Sequence, residues 1–168
     1  MPTYVSINGG TQGNITSGAN SAESMGNQWQ SGQTDESRVF KFEEGATVPT
    51  DPASGQPTGS RVYKPSVVTK AIDKASPLLR QAMADGELLK IEIKEYRVST
   101  AGQLEHYFTT TYTDAVITGI DKCTPEEGMG EDILQPREAI SFTARKIDWT
   151  HAKAGTSASD DWRAPKEG

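Results

Sequence analysis

Residues 49–60 constrain the fold more than any other run, because they can continue neither a helix nor a central strand. The run holds three prolines, two glycines and a single charge, Asp51. Proline lacks the backbone donor that helices and sheet interiors need, and glycine favours turns. Connections of about a dozen residues without structure of their own are usually either functional or disordered. Because proline stiffens the chain, we predict an arm that projects between two strands and docks onto another protein.

Most of the remaining sequence shows strand patterns. Residues 89–94 alternate between apolar and charged side chains, which predicts a half-buried strand. Residues 104–120 predict a longer strand, joined to the first by a turn at 99–102. One parity of that strand carries its apolar residues, which are Leu104, Phe108, Tyr112, Val116 and Ile120. Further strands are predicted at 4–7, 38–48, 61–72 and 140–149, the last with a bulge between Ala144 and Ile147.

One segment, residues 76–85, predicts a helix. Its apolar side chains fall at helical spacing and form one stripe: Ala75, Leu78, Leu79, Ala82 and Met83. Ser76 suits the N-cap, Pro77 the first turn and Gly86 the C-terminal stop. We expect this helix to lie across an open barrel end or a sheet face.

Many short strands with one helix and no βαβ rhythm predict a mainly β protein, an antiparallel barrel or sandwich with one α-helix. The 168 residues suit a single domain over 1–168. Within it we expect a protruding loop at 49–60, a loop at 121–137 and a small, polar tail at 152–168 with Trp162 as its anchor.

Charge and composition exclude several classes of partner. The formal net charge of -6 argues against nucleic acid, which binds basic surfaces. No run approaches the roughly 18 apolar residues of a membrane helix, so no membrane partner is expected. The first residues form a strand pattern without the basic start and apolar region of a signal peptide. We therefore expect synthesis in the cytoplasm and any export by a route that does not use a signal peptide.

The sequence predicts no catalytic residue, no cofactor and no metal site. One cysteine, Cys123, and two histidines cannot supply a multi-cysteine zinc site, and His106 is expected to be a packed or interface residue. The adjacent carboxylates Asp160 and Asp161 diverge in extended chain, so they form no acid/base pair by themselves.

Two alternative functions remain open at this point. A β-sandwich module could bind sugars on Trp29, Trp149 and Trp162, although isolated tryptophans more often serve the core. The second alternative is a hydrolase that uses Asp160 or Asp161, and no sequence motif supports it.

Several blocks, in the same order along the whole chain, resemble the hemolysin-coregulated protein (Hcp) family. These blocks are 11–16 (TQGNIT), 47–52 (TVPTDP), 54–57 (SGQP), 61–65 (RVYKP), 145–149 (RKIDW), 154–157 (AGTS) and 160–165 (DDWRAP). Members of this family form the inner tube of the bacterial type VI secretion system. The regions 27–37 and 123–136 look less like the family.

The resemblance implies a β-barrel with one helix, related in fold to phage tail-tube proteins. It also implies assembly with itself into a homohexamer, a six-membered ring that stacks into a hollow tube. The implied partners are the spike and sheath proteins and small effector proteins in the lumen. The family supplies no catalytic residues. We expect the arm to lie at the oligomer interface through Val48, Pro49, Thr50, Asp51, Pro52, Gln56 and Pro57.

Overall fold

A computed structural model describes residues 2–29, 31–124 and 135–162. Ten strands are defined in this part of the chain: β1 (Thr3–Gly9), β2 (Gly13–Asn14), β3 (Ser37–Glu43), β4 (Ala46–Thr47), β5 (Val62–Tyr63), β6 (Ser66–Ala71), β7 (Leu89–Val98), β8 (Leu104–Cys123), β9 (Arg137–His151) and β10 (Thr156–Asp161). The helices are α1 (Ala22–Met25) and α2 (Ser76–Asp85), and a 3₁₀ turn spans Gly26–Gln28.

Six antiparallel strands close into a barrel. Their order is β9–β6–β3–β1–β7–β8, and β8 also pairs with β9, which completes the circle. Strand β10 extends the sheet from the edge of β9, and β2 pairs with β1. Strands β4 and β5 form a separate two-stranded ribbon. The predicted mainly β class is confirmed, and the architecture is the closed barrel.

The core is built from apolar side chains at alternate positions along the strands. Leu89, Ile91 and Ile93 of β7 are buried, as their spacing predicts, and they meet Val5 and Ile7 of the paired strand β1. Full burial of each such side chain contributes about 1.5–3 kcal/mol. The interior is therefore filled by side chains rather than left as a pore.

Helix α2 spans the predicted range, but its apolar stripe is only partly buried. Leu79 and Ala82 lie in the core, whereas Leu78 and Met83 are each 39% exposed. The prediction for the N-cap is wrong, because Ala75 occupies that position. The Ser76 hydroxyl instead accepts a hydrogen bond from the Asp73 backbone at 3.1 Å.

A buried ionic cluster fixes the start of α2 to the barrel. The Lys70 ammonium is fully buried and lies 2.8 Å from carboxylate oxygens of both Asp73 and Glu138. Ser76 donates to Glu138 at 2.7 Å. Because buried charges are tolerated only when paired, this cluster ties β6, β9 and α2 together.

The predicted single parity of β8 is wrong. Leu104 is 55% exposed and Val116 is half-buried, whereas Ala115 and Ile117 are buried. The alternation of buried side chains changes parity at Asp114, whose φ is 51°. The register with β9 shifts further along, between Ile117 and Gly119. Local backbone irregularities of this kind re-aim side chains along a strand.

Strand β9 shows no register shift at the predicted bulge. Thr113 pairs with Lys146 and Ala115 with Ala144, an unbroken register with β8 across that point. The buried side chains nevertheless change from even to odd positions between Ala144 and Ile147. The irregular backbone in this region lies at Asp114 of β8, whose carboxylate forms an ion pair with Arg145 at 2.9 Å.

Strand β10, which lies within the predicted polar tail, is not indicated by any sequence pattern. It pairs with β9 from Thr156↔His151 to Asp161↔Lys146. The predicted loop at 121–137 begins later than expected, since β8 continues to Cys123. Residues 125–134 of that loop and 163–168 of the tail lie outside the described residues.

Candidate assembly surface

The proline arm, residues 49–60, is a hairpin that continues the β4–β5 ribbon. Thr50 and Pro57 form an isolated bridge. Asp51 N–H donates to the Gln56 carbonyl and Thr58 N–H to the Pro49 carbonyl, each at 2.8 Å. The arm therefore has a defined backbone conformation that its own hydrogen bonds maintain.

Asp51 organises the tip of the arm. Its carboxylate accepts from the Ala53 backbone at 2.9 Å and from the Ser54 hydroxyl at 3.0 Å. The Ala53 bond, followed by the Ser54 bond, lowers the pKa of Asp51. Gly55 closes the turn with a φ of 71°, a conformation that glycine adopts without strain. The one charge of the arm thus serves the turn as an acceptor.

The arm presents its side chains to solvent. Residues 52–60 are exposed, and Val48, where the ribbon enters the arm, is 48% exposed. Val62 on the returning strand is 51% exposed. A stiff and nearly uncharged projection, with exposed valines at its base, is suited to contact with another protein surface.

A charged clamp holds the base of the arm against β10. The Arg61 guanidinium donates two hydrogen bonds to the two carboxylate oxygens of Asp160, each at 2.7 Å. The Tyr63 hydroxyl donates to the same carboxylate. Asp160 is only 7% exposed, so the carboxylate of this bidentate pair is shielded from water, whereas the Arg61 side chain is 28% exposed. Such charge-assisted pairs are among the strongest polar contacts in proteins.

An aromatic stack reinforces the clamp. The ring of Tyr63 stacks on Trp162 with centroids 5.2 Å apart and planes at 23°. It also stacks on Trp149, at 6.4 Å and 28°. The predicted role of Trp162 as an anchor has a geometric basis in this contact. Trp149 in turn donates its indole N–H to Glu44 at 3.0 Å, which connects the stack to the chain entering the ribbon.

Burial raises the pKa of two tyrosines near the base of the arm, Tyr63 and Tyr112. Burial, with the hydrogen bond to Asp160, raises the pKa of Tyr63 to about 12. Burial also raises the pKa of Tyr112 well above its usual range. Tyr112 donates to Glu44 at 2.8 Å, so Glu44 accepts from both Tyr112 and Trp149. Both phenols are therefore neutral hydrogen-bond donors at neutral pH.

The cavity beside this stack has the size of a packing defect. Its volume is about 100 Å³, and the residues lining it are Glu44, Gly45, Ala46, Tyr63, Ser66, Ile147 and Trp149. Sites for organic ligands usually measure about 300–1,000 Å³. The geometry supports mechanical attachment of the arm rather than binding of a small molecule.

The structure brings all the proposed interface residues to one projection. Thr50 and Pro57 form its bridge, Asp51 and Pro52 lie at its turn, and the others flank them. Sequence reasoning missed the contacts of Arg61 and Tyr63 with Asp160, which hold the base of the arm against β10. Arg61 and Asp160 are 99 residues apart, and no local pattern signals such a contact.

The alternative functions find little support in these positions. Trp149 and Trp162 lie against Tyr63, whereas Trp29 caps the 3₁₀ turn. Asp160 accepts hydrogen bonds from Arg61 and Tyr63, and these contacts give it a role in holding the arm rather than in hydrolysis. His106 packs beside Tyr96 and bonds Thr109 at 2.6 Å, as its predicted packed role requires.

Neither a metal cluster nor a membrane helix is found in the described ranges. Across 2–29, 31–124 and 135–162, no group of three or more His, Cys, Asp or Glu side chains is placed to hold a metal ion. None of the helices in these ranges has the length and apolar character needed to span a bilayer.

Comparison with known proteins identifies the class to which this barrel with its braced arm belongs. A family model described as "Type VI secretion system effector, Hcp" matches residues 4–151. The chain therefore belongs to the Hcp family, and this membership supports a role as a type VI secretion tube protein.

Individual relatives agree over nearly the full length. The "Major exported protein" of Pseudomonas aeruginosa PAO1 is 50% identical, covering 99% of this chain and 98% of that protein. A crystal structure of an Hcp protein superposes with a TM-score of 0.91 at 41% identity, covering 96% of this chain and 99% of that one. The secreted protein Hcp3 from Pseudomonas aeruginosa gives a TM-score of 0.83 at 44% identity, with coverages of 97% and 99%.

Proposed function

We propose that this protein is a structural subunit of the type VI secretion inner tube. Copies assemble into six-membered rings, and the rings stack into a tube that carries and delivers effectors. The spike and the contractile sheath are its further partners. The observation that supports this proposal best is the proline arm, which is internally hydrogen-bonded, exposed and clamped to the barrel.

A ring of identical copies requires one patch on each copy to meet a different patch on the next. Stacking requires a second pair of unlike patches that does not close. An element that reaches beyond its own barrel is well suited to the second task. Extended, a dozen residues would span roughly 40 Å, so a hairpin arm reaches about half that distance.

Substitution of Val48 and Pro52 tests the proposal. Val48→Asp and Pro52→Asp place a charge on the exposed apolar part of the arm, so we expect loss of assembly while the barrel stays folded. Val48→Thr and Pro52→Ala are matched controls without charge. Sedimentation velocity and negative-stain microscopy report assembly, and circular dichroism reports folding.

Two outcomes would count against the proposal. If the parent protein sediments as a single species of about 18 kDa in every buffer, the ring is wrong. If the charged variants unfold, the arm belongs to the folding core and not to an interface.

Export is the second part of the proposal. We infer that the protein is made in the cytoplasm and leaves the cell through the secretion system, without a cleaved signal peptide. Intact mass of the secreted protein should equal that of the cytoplasmic protein. A strain without the contractile sheath should retain the protein inside, and release by that strain would contradict this route.

A further inference from the structure

We propose that Asp160 of β10 is a positioning residue that sets the direction of the proline arm. The arm then becomes competent for assembly only when the C-terminal strand has docked on β9. This inference rests on the proposed function of the arm, and it concerns how that function depends on a strand distant in sequence.

The ribbon at the base of the arm has little pairing of its own to hold its direction. Within the described residues, β4 and β5 pair with each other through Ala46↔Tyr63 and Thr47↔Val62, in a sheet separate from the barrel. Isolated two-stranded ribbons are marginally stable in water. Residues 44–45 and 64–65 join the two ribbon strands to β3 and β6, so the direction of the arm depends on these short links and on the side chains that contact the barrel.

Trp149 of β9 stacks on Tyr63, and the remaining contacts of Arg61 and Tyr63 described above lie on β10 and the residue after it. Arg61 and Tyr63 lie two positions apart on β5 and its approach, so they point to the same side of the extended chain. Both donate to the Asp160 carboxylate. Arg61 also donates to the Asp161 carbonyl at 3.2 Å, and Trp162 covers one face of Tyr63. Several contacts at separate points fix an angle, whereas a single contact leaves a hinge.

Docking of β10 is itself limited to one side. In the described part of the chain, β10 pairs with β9 alone, and its residues 156–159 are exposed. These four residues are small and three of them are polar, so they bury little apolar surface. The contacts of Arg61 and Tyr63 with Asp160 therefore stabilise β10 as well as the arm.

The order of synthesis gives this coupling a consequence. The arm is made about a hundred residues before its clamp, since Arg61 and Asp160 are 99 positions apart. A chain that lacks docked β10 has an arm but no fixed direction for it. Premature contact between unfinished copies is thereby disfavoured.

A distance measurement between spin labels tests the inference. In a Cys123→Ser background, labels are placed at Ala53→Cys in the arm and Lys90→Cys on β7, both at exposed positions. Labelled protein is diluted into unlabelled protein so that labels within one chain dominate. We expect one narrow distance distribution in the parent. Asp160→Asn should abolish that narrow distribution, because the amide cannot pair with both guanidinium donors.

Asp161→Asn is the matched control, since it neutralises the adjacent carboxylate and should leave the distribution narrow. If Asp160→Asn fails to fold, Arg61→Lys and Tyr63→Phe test the same clamp from the other side, and each should broaden the distribution. A distribution that stays narrow in the folded clamp variants would overturn the inference, as would equal broadening by Asp161→Asn.

Sedimentation of the same samples separates this inference from the function on which it rests. A parent that stays monomeric, with a narrow distribution that Asp160→Asn removes, would refute ring assembly and leave the positioning role intact. A parent that assembles, and a folded Asp160→Asn variant that assembles equally well with a narrow distribution, would refute the positioning role alone.

Discussion

The ammonium of Lys70 and the carboxylate of Glu138 lie 2.8 Å apart in the interior, and both side chains are at most 2% exposed. Asp73 approaches the same ammonium at 2.8 Å, so one buried cation serves two carboxylates. This arrangement joins the strand before α2, the start of α2 and β9. Its contribution to stability depends on all three groups being present.

Lys70→Met should destabilise the barrel by about 3–5 kcal/mol, because it leaves buried carboxylates without a cation. Urea unfolding at a fixed protein concentration measures the change. Lys41→Met is the matched control, since Lys41 pairs with Glu43 at 2.8 Å on the surface, where the side chains are 65% and 56% exposed. That control should change stability by less than about 1 kcal/mol. Equal effects of the two substitutions would contradict the role of the buried cluster.

Gly9→Ala should destabilise the turn after β1 by about 1–3 kcal/mol through overpacking. A β-carbon at Gly9 would lie 2.6 Å from a carboxylate oxygen of Glu87. That carboxylate accepts from the Thr11 and Gln12 backbones at 2.6 Å each, so it cannot move without losing these bonds. Thermal unfolding measures the loss. At Gly45 a β-carbon would have its nearest neighbour, in the Lys64 side chain, at 3.5 Å, so Gly45→Ala should have a much smaller effect.

Alkaline pH should release the clamp at the base of the arm. The pKa of Tyr63 is raised from 10.0 to about 12, first by burial and then by its hydrogen bond to Asp160. The neutral phenol is therefore favoured by the folded state. Its stabilisation is fully present below pH 10.0 and is lost as the pH rises towards about 12. Tryptophan fluorescence, which reports on Trp149 and Trp162, should change in this window. The change should be absent in Tyr63→Phe, and its persistence there would assign it to another group.

Ring stacking should depend on salt more than ring formation does. In the proposed ring, six copies at -6 each would give -36, so stacked rings would repel one another. Salt screens such repulsion beyond about 8 Å at physiological ionic strength. Light scattering across a sodium chloride series should show rings throughout and longer tubes at higher salt. Long tubes at low ionic strength, independent of salt, would be inconsistent with this expectation.

Local patterns predict the elements whose contacts are near in sequence. The alternation of Leu89, Ile91 and Ile93 identifies a strand, and helical spacing identifies α2 with its correct bounds. The same patterns could not predict which of the helix's apolar residues is buried. Leu79 faces the barrel and Leu78 does not, because the position of the helix on the barrel decides this.

Features that depend on distant partners were beyond the reach of such patterns. Strand β10 is small and polar, so its propensity is weak, and only pairing with β9 makes it a strand. The role of Asp160 requires Arg61 to be brought beside it by the closed barrel. Lys70 is a charged residue whose burial no periodicity indicates, since its carboxylate partner Glu138 lies on another strand.

The turn at Asp51 has a consequence for the energetics of association. Because its bonds to Ala53 and Ser54 are already made in the single chain, the arm loses little conformational freedom when it meets a neighbour. Ordering a flexible loop at an interface would cost roughly 0.5–1.5 kcal/mol for each immobilised side chain. In the proposed assembly, a pre-organised arm would avoid much of that cost, which would favour association.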